Sequence, residues 1–473
     1  MSPPERARLW PDYRTVWRWH FYAGLVCIPF VLWLSVTGAI YLFRPQIESW
    51  LDRPFENLQF SGPAHAPVHA VHAALAAVPQ GVLNAYELPR DEHSAVRVLV
   101  GRGDEILRVY VHPQTLEILK IIPDDHRPME VISHLHGELL QGDRGSMVVE
   151  AAASWTIVML ITGLFLWWPR GVNRAAGVFI PRLRGDKRMF WRDLHAVTAF
   201  WVSFFALFLL ISGLPWTSSW GGLFQSLRSI GAAAPVEQDW PTGSSSERAA
   251  RRHENAPPPA AASADPHAKH HMTAGMDMAS MDGASMERDP FEPLDRLIPA
   301  VRALHLAPPV LIAPPSRAAN HWTARSEAQN RPLRTTVVLD PDTGRVLSRD
   351  DFSRQPLVDR IVGVTTAAHE GQLFAPLNQL LGLFTAVGLF TLSISAIILW
   401  WRRRPDGVLG APAARRQRPA AIGVFVLVAL IGIALPLFGA TLLALLALEW
   451  LVLRRHPAVR RFLGLAASDG VAP

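Results

Sequence analysis

Residues 17–43 read WRWHFYAGLVCIPFVLWLSVTGAIYLF. From Trp19 to Phe43 there is no Asp, Glu, Lys or Arg, and 25 such residues at about 1.5 Å each span a hydrocarbon core of roughly 30 Å. Trp17, Arg18 and Trp19 stand where a helix meets the membrane surface. His20 lies just inside, and an ionisable side chain there is costly enough to be read as functional. No small-residue cleavage site follows the run, so it reads as a retained helix rather than a signal peptide.

Three more segments have the same character: Met147–Trp168, Leu194–Trp216 and Leu377–Trp401. Tryptophans sit at their ends, among them Trp167, Trp168, Trp191, Trp216, Trp400 and Trp401. A fifth apolar block, Ala420–Leu453, carries Pro436 in its middle and fits two short helices in a hairpin. With six helices, every arginine cluster falls on one side of the membrane. These clusters lie near Arg6–Arg18, Arg170–Arg192, Arg402–Arg418 and Arg454–Arg461. That is the positive-inside pattern rather than a nucleic-acid-binding face, and it places both termini in the cytoplasm. Only 18% of residues are charged, against about 25% in a soluble domain, which excludes an ordinary soluble enzyme.

Two long outward loops remain. The first, about 44–146, offers a helix face (Val68, Val71, Leu75, Val78) and strand-like runs at Ala95–Val100, Ile106–Val111 and Leu116–Ile122. The second, about 217–376, offers a helix face (Leu294, Leu297, Ile298, Val301, Leu304). Its strand runs lie near His321–Arg325, Arg334–Asp340 and Arg345–Leu347, with a turn at Asp340–Gly344. Within it, about 241–289 is rich in Ser, Ala, Pro and Gly and reads as a disordered insert.

The expected fold class is therefore an α-helical membrane protein: four core transmembrane helices plus a C-terminal hairpin, with two small α+β domains in the loops. Along the chain this gives helices at 1–43 (with the cytoplasmic N-terminus), 147–168, 194–216 and 377–401. Outward domains fill 44–146 and 217–376, and cytoplasmic loops 169–193 and 402–419. The hairpin is 420–453 and the cytoplasmic tail 454–473.

The chain repeats itself, and the repeat aligns histidines. At an offset of 175, His20 matches His195, Thr37 matches Ser212 and Gly38 matches Gly213. At an offset of 233, His136 matches His369, and Trp167-Trp168 matches Trp400-Trp401. His20 and His195 fall at the cytoplasmic-side depth, His136 and His369 at the outer one. Neutral imidazoles in pairs suit bis-histidine ligation of haem iron, built from facing helices. The expectation is two haem b groups, one near each face, held by His20, His195, His136 and His369. His134 is an alternative ligand or a partner for a propionate. Arg18, Arg192 and Arg144 are further propionate candidates, though positive-inside anchoring is the preferred reading for Arg18 and Arg192. The small residues Ser35, Thr37, Gly38, Thr162, Gly163, Ser212 and Gly213 permit close helix packing or close approach of a flat macrocycle.

The insert carries His267, His270, His271, Met272, Met276, Met278, Met281 and Met286, donors that suit Cu(I). The lone cysteine, Cys27, excludes an internal disulfide, c-type haem attachment, iron–sulfur clusters and thiolate zinc. No G-x-G-x-x-G follows a strand and no G-x-x-x-x-G-K-[ST] occurs. An electron donor would come from outside the chain, as membrane quinol or a partner reductase.

In order along the chain stand Trp17-Arg18-Trp19-His20, Val36-Thr37-Gly38, His134-Leu135-His136-Gly137-Glu138-Leu139-Leu140, Thr162-Gly163-Leu164-Phe165-Leu166-Trp167-Trp168-Pro169, Asp193-Leu194-His195 and Ser212-Gly213-Leu214-Pro215-Trp216. This set resembles the PepSY-associated transmembrane family of bacterial inner-membrane proteins. The likeness covers most of Trp10–Arg404 and leaves out the C-terminal hairpin. It implies PepSY-like periplasmic domains in the two loops. Some members of the family look like haem-containing reductases that release iron from ferric siderophores in the periplasm. The implied function is a haem-dependent metal reductase of the inner membrane, with a ferric siderophore or another metal ion, copper included, as substrate. The alternatives are a copper-handling membrane protein and a regulatory protein that binds a periplasmic partner. The Met/His run departs from the family pattern.

Overall fold

The computed structural model describes residues 13–168, 176–182, 186–230, 251, 289–315, 321–412 and 422–465. These fall into two compact units, one of helices and one built on a sheet. Apart from Arg251 and Asp289, the insert lies outside the described residues, and with it His267, His270, His271, Met272, Met276, Met278, Met281 and Met286.

The helical unit is organised by four long helices: α1 (Tyr13–Tyr41), α5 (Asp143–Trp167), α6 (Lys187–Gly213) and α10 (Leu377–Arg403). Each covers most of one of the four apolar runs, and α6 gives way at Leu214–Trp216 to a separate single turn. α1 packs on α5 and α10, and α6 packs on the same two, so the four close a ring with α1 and α6 across its diagonal. The C-terminal block breaks at Leu435 and Pro436, into α11 (Ile422–Ala434) and α12 (Pro436–Leu448). Gly432 and Gly439 let the two backbones meet, and Trp155 of α5 reaches Thr441 Oγ1 of α12 at 2.9 Å. Among the described residues, five helices are long and apolar enough to cross a membrane. The protein is a multi-pass membrane protein.

Two short helices precede spans and carry His136 and His369, the pair expected at the outer face: α4 (Pro128–Glu138) before α5, and α9 (Leu357–His369) before α10. α4 folds back on α5 through a turn in which Leu139, Leu140 and Gly142 all have positive φ. Gly145 makes that return possible, because a Cβ there would fall 1.7 Å from the Glu138 carbonyl oxygen. His136 owes its position to this turn.

The sheet unit comprises residues 46–127 and 247–360. The first loop supplies β1 (Val82–Glu87), β2 (Val96–Arg102), β3 (Glu105–Val111) and β4 (Ile118–Pro123). The second supplies β5 (Val310–Ala313), β6 (Trp322–Ser326), β7 (Thr335–Leu339) and β8 (Val346–Asp351). The loops do not make separate sheets. One antiparallel sheet runs β4-β3-β2-β1-β5-β6-β7-β8, joined at the centre where Tyr86 pairs with Ile312 and Glu87 with Leu311. Helices α3 (Pro67–Ala77) and α8 (Pro293–Ala303) lie on its apolar side. Val71 and Ala74 of one, and Leu294, Leu297, Ile298 and Val301 of the other, enter the same core as Val98, Val109, Ile312 and Val337.

Candidate functional site

The four histidines of the repeat lie in the helical unit, two toward each end of the ring. His20 of α1 and His195 of α6 stand on the two helices that face each other across its diagonal. At the other end His136 and His369 face each other with ring centres 6.4 Å apart and planes at 80°. Two imidazoles that bind one metal ion from opposite sides, at about 2.0–2.1 Å each, have ring centres roughly 6–6.5 Å apart. The outer pair has that spacing.

Each ring is held by its Nδ1. In the inner pair, His20 Nδ1 lies 3.1 Å from both the Met159 carbonyl and Thr162 Oγ1 on α5. His195 Nδ1 lies 3.2 Å from the Leu392 carbonyl and 3.1 Å from Ser395 Oγ on α10. In the outer pair, His136 Nδ1 meets Thr37 Oγ1 of α1 at 2.9 Å, and His369 Nδ1 meets Ser212 Oγ of α6 at 2.9 Å. The partners obey the repeat: Met159 and Thr162 stand 233 positions before Leu392 and Ser395, and Thr37 stands 175 before Ser212.

These contacts set the tautomer. A hydroxyl has one proton to give, and all four already donate it to their own helix. Thr37 donates to the Trp33 carbonyl, Thr162 to Val158, Ser212 to Leu209 and Ser395 to Leu392. For His20 and His195 the Met159 and Leu392 carbonyls can only accept, so Nδ1 carries the hydrogen and donates it; for His136 and His369 the hydroxyl, while it donates to its own helix, offers Nδ1 an acceptor. With Nδ1 donating, Nε2 is the unprotonated nitrogen in all four rings, and it has no hydrogen-bond partner among the described residues. Burial pushes His136 down to about 4, helped by the facing His369, and burial likewise lowers His369 to about 4. Both outer rings are therefore neutral near pH 7. A metal-binding imidazole is commonly oriented in this way, donating its second nitrogen to a carbonyl or another oxygen.

Glycines clear the space beside the rings. A Cβ on Gly38 would stand 3.1 Å from His136 Cε1, on Gly163 3.0 Å from His20 Cε1, and on Gly213 3.5 Å from His369 Cε1. The small residues noted in the sequence thus have distinct duties: the hydroxyls orient the rings and the glycines admit them. Thr37 and Ser212 were legible as a matched pair, but their bond to histidine was not. Ser395 was missed, although it shares the 233 offset with Thr162.

His134 is not part of either pair; its Nδ1 contacts Glu138 on the same helix. Arg18 is spent on the carbonyls of Pro412 and Gly464, at 2.6 and 3.0 Å. Arg192 pairs at 3.1 Å with Asp193, a buried carboxylate that Arg182 also grips through two nitrogens, at 2.6 and 2.9 Å. Among the described residues no three His, Cys, Asp or Glu side chains gather around a common point. The arrangement offers pairs of ligands, not a cage.

A family model described as PepSY-associated TM region matches residues 17–403. The chain belongs to this family. A comparison with curated proteins returned no match. The PepSY-associated match takes in all four paired histidines and their hydroxyl partners and stops before the α11–α12 hairpin.

Proposed function

We propose that this PepSY-associated membrane protein is a dihaem b oxidoreductase of the bacterial inner membrane, with both termini in the cytoplasm. It would pass electrons outward to a metal ion held in the periplasm. His20 and His195 hold the inner haem, and His136 and His369 the outer one. The observation that carries the reading is that all four imidazoles are fixed through Nδ1, the inner two to backbone carbonyls as well as hydroxyls and the outer two to hydroxyls. Each therefore presents Nε2 as a ready ligand, and the outer two are spaced for a shared ion. Bound haem b supplies a one-electron Fe(III)/Fe(II) couple, and bis-histidine ligation leaves no open position for oxygen. The protein's part is to fix the rings and keep the sites within an apolar bundle. The electron donor is external, a quinol or a partner reductase. The acceptor is a ferric siderophore or another metal ion. The Met/His run argues for including copper among the ions tested.

The test is a pyridine haemochrome assay with oxidised and dithionite-reduced spectra of protein purified from haem-replete cells. The expected result is sharp reduced α and β bands, about two haems per chain, and reoxidation by a ferric siderophore or Cu(II). His136→Ala should leave about one haem per chain. Full haem content in that variant would overturn the ligand assignment, and a colourless wild-type protein would overturn the function.

A further inference from the structure

The two histidine pairs are not held alike. Each inner ring donates its Nδ1 hydrogen to two oxygens, a backbone carbonyl and a hydroxyl: Met159 with Thr162 for His20, Leu392 with Ser395 for His195. Each outer ring has one close acceptor, the hydroxyl of Thr37 or of Ser212. His369 also feels the Leu209 carbonyl, so the contrast with the inner rings is sharpest at His136. A hydroxyl that is also donating to its helix is a modest acceptor, whereas a peptide carbonyl is a strong one. Drawing the Nδ1 hydrogen outward makes the opposite nitrogen a stronger donor to a metal, which favours the oxidised, more positive ion.

We infer that Thr162 and Ser395, acting with the carbonyls of Met159 and Leu392, are positioning residues that make the inner site the lower-potential one. Thr37 and Ser212 leave the outer site at higher potential. This inference rests on the haem ligation proposed above. The ordering gives the bundle a direction, because one electron leaving the inner site and arriving at the outer one runs downhill. Arg403 opposes it, since His195 feels its charge. But Arg403 is exposed, lies over the Trp17 ring at 5.6 Å, and is screened by solvent ions, while the carbonyl contacts are direct.

The experiment is a potentiometric titration of the full-length protein in detergent, followed at the reduced α band, with haem content measured on each sample. Two waves are expected. His136→Ala, which keeps only the inner site, should retain the lower wave and so assign it. Thr162→Val combined with Ser395→Ala should raise the lower wave and leave the upper one in place. Thr162→Ser with Ser395→Thr, which restores a hydroxyl at each position, should return it to the wild-type value. The inference is overturned if haem is present at about two per chain and the hydroxyl-free variant leaves the lower wave unmoved. It is equally overturned if His136→Ala retains the upper wave. Absence of haem from the wild type would instead overturn the ligation reading, so the two failures are distinguishable.

Discussion

A methyl group at position 163 would meet His20 Cε1 at 3.0 Å, and one at position 213 would meet His369 Cε1 at 3.5 Å. The first distance forces the ring to move by a few tenths of an ångström, and the second is ordinary contact. In a helix either substitution also gains up to about 1 kcal/mol of propensity, so neither should unfold the protein. The outcome expected is graded: Gly163→Ala lowers the haem content or broadens the inner site's spectrum, and Gly213→Ala leaves both near wild type. Equal losses from the two variants would mean that ring clearance is not what these glycines provide. At this scale the sequence was legible where a residue is chemically rare. A histidine in an apolar run stands out, and the repeat confers meaning on it. Thr37, Thr162 and Ser212 stood out only as small residues and Ser395 not at all, and their ring-orienting role was hidden, since a hydroxyl in a membrane helix is common and usually bonds only to its own backbone.

At the scale of elements, six of the eight strands could be located from their apolar runs, and two could not. β1 is interrupted by Asn84, which sits at an irregularity in its pairing, and ends in Glu87. β5 has only the four residues Val310–Ala313, hemmed in by Pro308, Pro309, Pro314 and Pro315. Neither looks like a strand by composition, and they are the two that join the halves. The repeat also extends to a turn that composition concealed. His112 accepts the backbone N–H groups of Gln114 and Thr115 just as Asp340 accepts those of Asp342 and Thr343. Leu116 there adopts a positive φ, as Gly344 does in the matching turn.

Glu87 itself is buried among arginines, with Arg97 at 3.0 Å and Arg108 also in contact. Arg108 in turn reaches Asp124 at 2.9 Å. Burial alone would raise the Glu87 and Asp124 carboxyls, but the neighbouring arginines hold both below the usual carboxylate range. A depressed folded-state pKa gives stability that is present above the unfolded value, about 4, and is lost as pH falls below it. Thermal unfolding of the purified protein should therefore move to lower temperature between about pH 5 and pH 3, and Glu87→Gln should flatten that dependence. Arg108→Ala at neutral pH should cost roughly 3 kcal/mol, because it strips a partner from a buried carboxylate. A Glu87→Gln protein with an unchanged acid profile would show that other carboxylates govern it.

At the scale of the whole molecule, the apolar runs carried the spans, because the bilayer imposes a length rule on every one of them. How the two loops would fold could not be read in the same way. Each has the helix and strands of a small α+β domain, and nothing in either loop's own pattern says that its first strand needs a partner from the other. The structure supplies the reason. The apolar side of the sheet is one core, in which Val71 and Ala74 of α3 share a cluster with Leu294, Leu297 and Ile298 of α8 and with Ile312 of β5. A fragment of residues 46–127 would lack α8 and β5. It would present the N–H and C=O groups of Tyr86 and Glu87 along a bare edge, beside an apolar surface stripped of half its cover. Such an edge pairs with whatever strand it meets. The fragment should therefore elute from size exclusion as a dimer or a larger species, with no cooperative unfolding as a monomer. A chain that links 46–127 to 289–360 should run as a monomer with one unfolding transition. A well-behaved monomer from 46–127 alone would mean that each loop is a domain in its own right and that the central pairing of β1 with β5 is an accessory to the fold.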